Sequence, residues 1–349
     1  MNDYSNNETI KSLEQFISKL REVLKTKYED KNIRLYFRGE DKKYVVQGNE
    51  NEIDTRCIPK GFRHGKESDV FFKFIRRHPE EFENMSNLEK LAKMQHFGVP
   101  TRLLDITSNP LVALFFACGG FNQITSQLKL TNPNDKYEDK NGYIYVFLAV
   151  SKDYDGKKRN ILSPDSDRGL LLSTLTKMSD EEKKLIHKFA STKVEPITPD
   201  QLEIDKINDS EDFKKQKQVF SKYIYECERE RDAFKNHHVN PRDLEDIYFI
   251  KPSFNNSRMK HQSSLFIIFG NKYKNDVIDI EYFRDKVVIN KDPGLQIVID
   301  KNSKKKILGE LKFLCGISYS SLFDDLASTV EEPKDELFSW FLESYSLKN

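Results

Sequence analysis

The polar side chains that could do chemistry are concentrated over residues 91–118, which read LAKMQHFGVPTRLLDITSNPLVALFFAC. The chain as a whole is strongly charged, with 57 basic and 56 acidic residues among 349 and a mean hydropathy of -0.69. Polar groups placed between apolar elements cost free energy unless they find partners. We therefore expect a ligand site in this segment.

Arg38 is the first candidate, because it follows an apolar strand predicted over 33–37 and precedes Gly39. Its guanidinium presents a planar set of N–H donors that suits a phosphate or a carboxylate. The glycine lets a ligand or another backbone approach closely. The alternative is a structural salt bridge, for example with Asp105, since buried arginines are usually paired.

His96 and Arg102 lie on either side of a predicted turn. His96 is near the end of a helix that opens with the capping-box sequence at 86–89. It could stack on or donate to a bound ring, or it could interact with the last carbonyls of the helix. Arg102 precedes a strand predicted over 103–106, and it either faces a pocket or pairs with an acidic neighbour in the core.

Thr107, Ser108 and Asn109 follow that strand and precede a wholly apolar helix predicted over 110–118. A helix N-terminus offers free N–H groups and the positive end of the helix dipole, which suits an anion or a ribose. Ser108 or Asn109 could equally cap the helix. The two roles are compatible.

A second polar segment, 256–264, contains Arg258 and Gln262 and leads into a strand predicted over 264–269. No Ser/His/Asp nucleophile motif is visible, and the histidines lack the spacing of metal ligands. The four cysteines form no CxxC pair, which argues against a zinc site or a disulfide framework. With no signal-peptide pattern and no apolar run of membrane-spanning length, we expect a soluble cytoplasmic protein.

The elements that would position these residues follow from hydrophobic patterning. Strands alternate with helical segments of uneven length, which predicts an α+β fold with a mixed or antiparallel central sheet flanked by helices. Further strands are predicted over 142–150, 246–251 and 295–299, and further helices over 8–27, 68–78, 211–235, 303–314, 318–328 and 334–345.

Composition divides the chain into four parts. We predict an N-terminal helix over 1–30, a core over 31–150 and 244–330, a charged helical insertion over 151–243, and a C-terminal helix over 331–349.

Four features together resemble the bacterial FRG domain. They are the triplet Phe37-Arg38-Gly39, then Ile58-Pro59 followed by Glu67, the block HFGVPTRLLDITSNPLVALFFA over 96–117, and Arg258 with Gln262 and Phe266. The similarity spans about 33–330 and is poor over 151–243. The last motif usually reads Gln-Gln-Gly in the family, whereas this chain has His261-Gln262-Ser263.

The segment Asp105-Ile106-Thr107-Ser108, followed by Ala113 and Phe116-Ala117, is similar to the Ser-Thr-Ser motif region of ADP-ribosyltransferases. That resemblance implies an ADP-ribosyltransferase-like core that uses NAD as its substrate. It implies that Arg38 clamps the pyrophosphate, that Thr107 supports the ribose, and that Gln262 stands where the fold has a glutamate. The remaining residues implied to bind NAD are Gly39, His96, Arg102, Asp105, Ser108, Asn109 and Arg258.

A glutamine can hold a ribose hydroxyl but cannot stabilise a positively charged transition state, which requires a carboxylate. We name Glu67 as the first candidate for that charge and Asp105 as the second. Glu67 could equally be a solvated acid on the first turn of a helix.

The resemblances imply an effector of bacterial conflict or phage defence, a toxin that cleaves NAD and modifies a protein or nucleic-acid acceptor. The alternative is a non-catalytic sensor that holds a nucleotide or a nucleic-acid end. A third hypothesis is an interaction protein with 151–243 as its partner surface. The net charge of +1 gives no indication of a membrane or nucleic-acid surface.

Overall fold

The computed structural model describes most of the predicted core and part of the predicted insertion. The described residues are 9–27, 33–47, 52–64, 66–120, 139–151, 160–193, 196–197, 210–231, 234, 239–251, 253, 257–287 and 296–323.

The strands carry the fold's main sheet and two small hairpins. They are β1 (Ile33–Glu40), β2 (Val45–Gln47), β3 (Glu52–Asp54), β4 (Leu103–Thr107), β5 (Gly142–Val150), β6 (Ile161–Leu162), β7 (Ile247–Ile250), β8 (Ser264–Phe269), β9 (Tyr273–Lys274), β10 (Val277–Ile278) and β11 (Gln296–Ile299).

The helices cover the sheet and its ends. They are α1 (Leu13–Lys27), α2 (Lys60–His64), α3 (Glu67–Arg77), α4 (Asn87–His96), α5 (Pro110–Ala117), α6 (Asp167–Thr174), α7 (Asp180–Ser191), α8 (Glu211–Glu230), α9 (Ser257–His261), α10 (Ile280–Val287), α11 (Lys304–Cys315) and α12 (Tyr319–Leu322).

The main sheet has seven strands in the order β11-β5-β1-β4-β8-β7-β6. All neighbouring pairs are antiparallel except β6 and β7, which are parallel. The structure therefore confirms the predicted α+β class with a mixed sheet. β4 is the middle strand, so the polar residues predicted near it lie at the centre of the molecule.

The N-terminal helix is shorter than predicted. It begins at Leu13 rather than near residue 8, because Ile10 pairs with Ile299 at the edge of the sheet. The Ile10 N–H donates to the carbonyl of Val298 at 2.8 Å, which is an extended-chain contact rather than a helical one. The predicted helix over 334–345 lies outside the described residues. Of the helix predicted over 318–328, residues 318–323 are described, and they form only the short α12 (Tyr319–Leu322).

Helix α8 is not the surface helix that its charge suggests. It ends at Glu230 rather than 235, and it buries Phe220, Tyr223 and Ile224 on one face. These side chains share one apolar core with Leu103 and Phe266 of the central strands. The described part of the predicted insertion therefore packs as a layer on the sheet, and it also contributes the edge strand β6.

A buried ion cluster fastens this layer to the core. Arg102 has no solvent-exposed surface, and its Nε and Nη2 donate to the Glu67 carboxylate at 2.9 and 2.6 Å. Nζ of Lys183, from α7, donates to the same carboxylate at 2.8 Å. The remaining Arg102 nitrogen, Nη1, donates to the Phe269 carbonyl and the Asn271 side chain at 3.0 and 3.1 Å. The cluster thus joins α3, β4, β8 and α7.

Replacing Glu67 with glutamine should cost about 3–5 kcal/mol of unfolding free energy, because two buried cations lose their counter-charge. Burial opposes ionisation of Glu67, but Arg102 and Lys183 lower its pKa from 4.5 to about 2. The pKa is lower in the folded state, so this stabilisation is complete above the unfolded pKa and disappears as the pH falls towards 2.

Urea denaturation at pH 7 and over pH 5 to 2 measures both effects. The difference between wild type and Glu67→Gln should shrink as the pH falls. Glu81→Gln is the matched control, since Glu81 pairs with Lys93 on the surface and its loss should leave stability nearly unchanged. A Glu67→Gln protein as stable as this control would contradict the assignment.

Candidate functional site

A cavity of about 550 Å³ opens on the central strands of the main sheet. Its walls come from the end of β1, from β4, from the start of β8 and from the last turn of α4. Pockets that hold small-molecule ligands are typically about 300–1,000 Å³. Six of the residues predicted to form the site line it, namely Arg38, Gly39, His96, Asp105, Thr107 and Gln262.

Asp105 forms the floor of this cavity. It is the one exposed residue in β4, whose other four residues are buried, although β4 has hydrogen-bonded neighbours on both sides. Side chains alternate across a strand, so Asp105 projects from one face of β4 while Leu104 and Ile106 join a buried apolar cluster on the other. An accessible carboxylate at the centre of a sheet is the arrangement expected of a ligand site.

The Asp105 carboxylate is held by a chain of hydrogen bonds. Its Oδ2 accepts from Nε2 of Gln95 at 2.7 Å, and Oε1 of Gln95 accepts from the Thr101 hydroxyl at 2.7 Å. Thr101 is buried, and its Oγ1 in turn accepts from the backbone N–H of Leu103 at 3.1 Å. Each link fixes the orientation of the next, so the carboxylate is positioned before any ligand arrives.

Arg38 lies beside Asp105 and pairs with Glu40. Its Nε donates to Oε1 of Glu40 at 2.9 Å, and its Nη1 donates to the backbone carbonyl of Asp105 at 2.8 Å. Burial alone would lower the pKa of Arg38, but the Glu40 carboxylate raises it above its ordinary value. The expected alternative, a structural salt bridge, is present, but the partner is Glu40 and not the Asp105 given as an example.

Thr107 and Gln262 build the cavity wall where β4 meets β8. The Thr107 hydroxyl donates to the carbonyl of Gln262 at 2.7 Å and accepts from the Asn109 N–H at 3.0 Å. Nε2 of Gln262 donates to the Leu322 carbonyl at 3.2 Å. A glutamate at this position would place a carboxylate, which has no N–H to donate, against that carbonyl. The hydrogen bond to α12 therefore explains the glutamine.

The three candidates at helix ends, His96, Ser108 and Asn109, have different roles in the structure. His96 is the last residue of α4 and lines the cavity. Asn109 caps α5, with its side-chain oxygen accepting from the Leu111 N–H at 3.0 Å. Ser108 is exposed beside Ser263 and does not line the cavity.

Two predicted site residues are corrected by the structure. Glu67 and Arg102 do not line the cavity, because they pair with each other and with Lys183 in the buried ion cluster. Of the open alternatives for Arg102, the one that holds is pairing with an acidic neighbour. The side chain of Arg258 lies outside the described residues.

Sequence reasoning missed Gln95, Glu40 and Phe97, which all line the cavity. A signal existed for the first two. Gln95 is a polar residue on the same helix side as the buried Leu88 and Leu91, and Glu40 shares a strand face with Arg38, two residues earlier. No local pattern indicated Phe97.

Residues 33–125 match the family model of the FRG domain. The chain therefore carries an FRG domain, as three of its four motifs indicate, and the match includes Arg38, Gln95 and Asp105. The fourth motif, over 258–266, lies outside the match. No curated protein and no solved structure matches the chain. Among the described helices, none is long and apolar enough to cross a membrane.

Gly39 serves packing. A Cβ built at Gly39 would lie 1.8 Å from the carbonyl oxygen of Ala113 and 2.7 Å from the backbone nitrogen of Ala117. The missing side chain therefore lets α5 pack directly on β1, which explains the Phe-Arg-Gly triplet: the arginine faces the cavity and the glycine admits the helix.

Gly39→Ala should accordingly lose at least about 3 kcal/mol of unfolding free energy, because the clash involves backbone that cannot move aside. Gly98→Ala is the matched control. Gly98 has a φ of 76° but nothing within 4 Å of a built Cβ, so its replacement should cost about 1 kcal/mol. Urea denaturation followed by circular dichroism compares them, and equal losses would contradict the account.

Proposed function

We propose that the chain binds NAD in this cavity and cleaves the bond between nicotinamide and ribose, as an ADP-ribosyltransferase-like enzyme would. The ADP-ribose passes to a macromolecular acceptor or to water. The observation that carries the proposal is the exposed Asp105 carboxylate, which Gln95 holds in place in a cavity that Arg38 also lines.

The groups in the cavity fit the parts of NAD. Arg38 supplies a cation for the pyrophosphate, and its planar N–H donors suit phosphate oxygens. Asp105 can accept hydrogen bonds from ribose hydroxyls. The aromatic residues Phe37, Tyr44 and Phe116 add apolar wall against which flat rings can pack. The volume of about 550 Å³ also suits a ligand of this class.

The reaction needs a negative charge that the glutamine at position 262 cannot supply. When the glycosidic bond breaks, its electron pair leaves with nicotinamide, whose ring becomes neutral, and positive charge develops on the ribose. Asp105 can stabilise that charge, and Gln95 holds it ready so that little reorganisation is needed. An acceptor hydroxyl or water then bonds to the ribose carbon and gives up its proton to Asp105 or to solvent.

Asp105 thereby takes the role first assigned to Glu67. Arg38 binds rather than reacts, and Glu40 holds its guanidinium in place. Consumption of NAD, or modification of an essential macromolecule, would make the protein a toxin or a phage-defence effector in the bacterial cell.

Nicotinamide release from labelled NAD, with and without cell lysate, tests this proposal. Asp105→Asn keeps the shape and removes the charge, so it should lower kcat by about 10²–10³-fold while NAD affinity changes only a few-fold. Arg38→Lys retains a charge for Glu40 but loses the planar donors, so it should mainly raise KM. Asp69→Asn, on the exposed surface of α3, is the matched control and should be unchanged.

Two outcomes would contradict the proposal in different ways. If NAD raises the Tm of the wild type but no nicotinamide appears, the protein is a non-catalytic nucleotide sensor. If NAD changes neither Tm nor nicotinamide levels, NAD is not its ligand.

A further inference from the structure

Phe97 is an exposed aromatic ring at the mouth of the cavity. Its exposed fraction is 61%, and of the exposed large apolar side chains among the described residues it alone lines the cavity. Single exposed apolar residues are common on protein surfaces and need no explanation by themselves. The position of Phe97 and the way it is held set it apart from the others.

The ring of Phe97 is supported from two sides. Its centroid lies 6.4 Å from that of Phe74 and 5.2 Å from that of His96, which meets it edge to face. Its backbone N–H closes the last turn of α4 by donating to the Lys93 carbonyl at 3.3 Å. A ring fixed in this way loses little conformational freedom when a second ring stacks on it.

The turn after Phe97 leaves room for a flat ligand. At Gly98, a built Cβ would meet no atom within 4 Å, and the backbone there has a φ of 76° that favours glycine. The cavity therefore combines a polar floor, with Arg38 and Asp105, and an apolar ring beside open space at its rim.

We infer that Phe97 is the platform on which the adenine ring of the dinucleotide stacks, an assignment that rests on the proposed use of NAD. If the bond to nicotinamide breaks beside Asp105, the nicotinamide end lies at the floor. The sugar–phosphate part then runs past Arg38, and the ring at the other end of the ligand reaches the mouth. Stacking of a base on an aromatic side chain is sequence-tolerant and changes affinity by about 5- to 150-fold.

A comparison of NAD with nicotinamide mononucleotide, which lacks the adenosine half, tests this subsite. Phe97→Ala should raise the KM for NAD by at least about 5-fold with kcat unchanged, and should leave the KM for the mononucleotide unaltered. Phe97→Trp should restore the affinity for NAD. Phe72→Ala is the control, since Phe72 is 39% exposed but does not line the cavity.

Several results would overturn the inference. One is that Phe97→Ala changes the KM for NAD and for the mononucleotide equally, or changes neither. Another is that it leaves nicotinamide release intact and reduces only the transfer of label to an acceptor, which would make the ring a docking point for the acceptor. In each of these cases the wild type still turns over NAD, so the proposed function stands.

Calorimetry with ADP-ribose and with nicotinamide mononucleotide tests the case in which the wild type does not turn over NAD. A wild type that binds ADP-ribose without turnover, and loses that binding on Phe97→Ala, would support the adenine subsite and overturn catalysis. A wild type that binds neither compound would overturn both.

Discussion

Asp105 lies in the middle strand of a seven-stranded sheet, where a carboxylate without water or partners would cost several kcal/mol. The fold meets this constraint by leaving one face of β4 open, so that the carboxylate forms the floor of a cavity. Helix α4 ends at His96 beside that opening, and its Gln95 side chain donates to the carboxylate. The open face of β4 and the Gln95 contact from α4 together accommodate this acid at the centre of the sheet.

The charged groups around β4 perform two separate tasks. At the cavity, Glu40 pairs with Arg38, and the guanidinium also donates to the backbone carbonyl of Asp105. Away from the cavity, Glu67 compensates both Arg102 and a lysine from α7, and so fastens the helical layer to the sheet. Both clusters contain an arginine from the sheet region, Arg38 within β1 and Arg102 directly before β4. They differ in access, since Arg102 is fully buried whereas the Arg38 side chain retains 21% of its exposure.

The sequence predicted the features that depend on neighbouring residues, such as strands and short motifs. Runs of β-branched and aromatic residues placed β5, β7, β8 and β11 within a residue or two, and the motif residues around Arg38 and Asp105 do meet in one cavity. The assignments that failed depend on contacts between distant residues. Glu67 gave no sign in the sequence that Lys183, 116 residues later, would share its carboxylate. Nor did Gly39 indicate whether a ligand or a helix would approach it, and the structure shows the helix.

The central claim is that Asp105 faces the ribose of a bound dinucleotide while Arg38 holds its pyrophosphate. A crystal structure of the full chain with a carbocyclic NAD analogue, which cannot lose nicotinamide, tests this most directly. The account predicts that the hydroxyls of the cyclopentane ring that replaces the nicotinamide ribose lie within hydrogen-bond distance of the Asp105 carboxylate. It also predicts that the phosphate oxygens contact the Arg38 guanidinium. An analogue bound with its phosphates away from Arg38 and its sugar out of reach of Asp105, or no analogue in the cavity at saturating concentration, would contradict it.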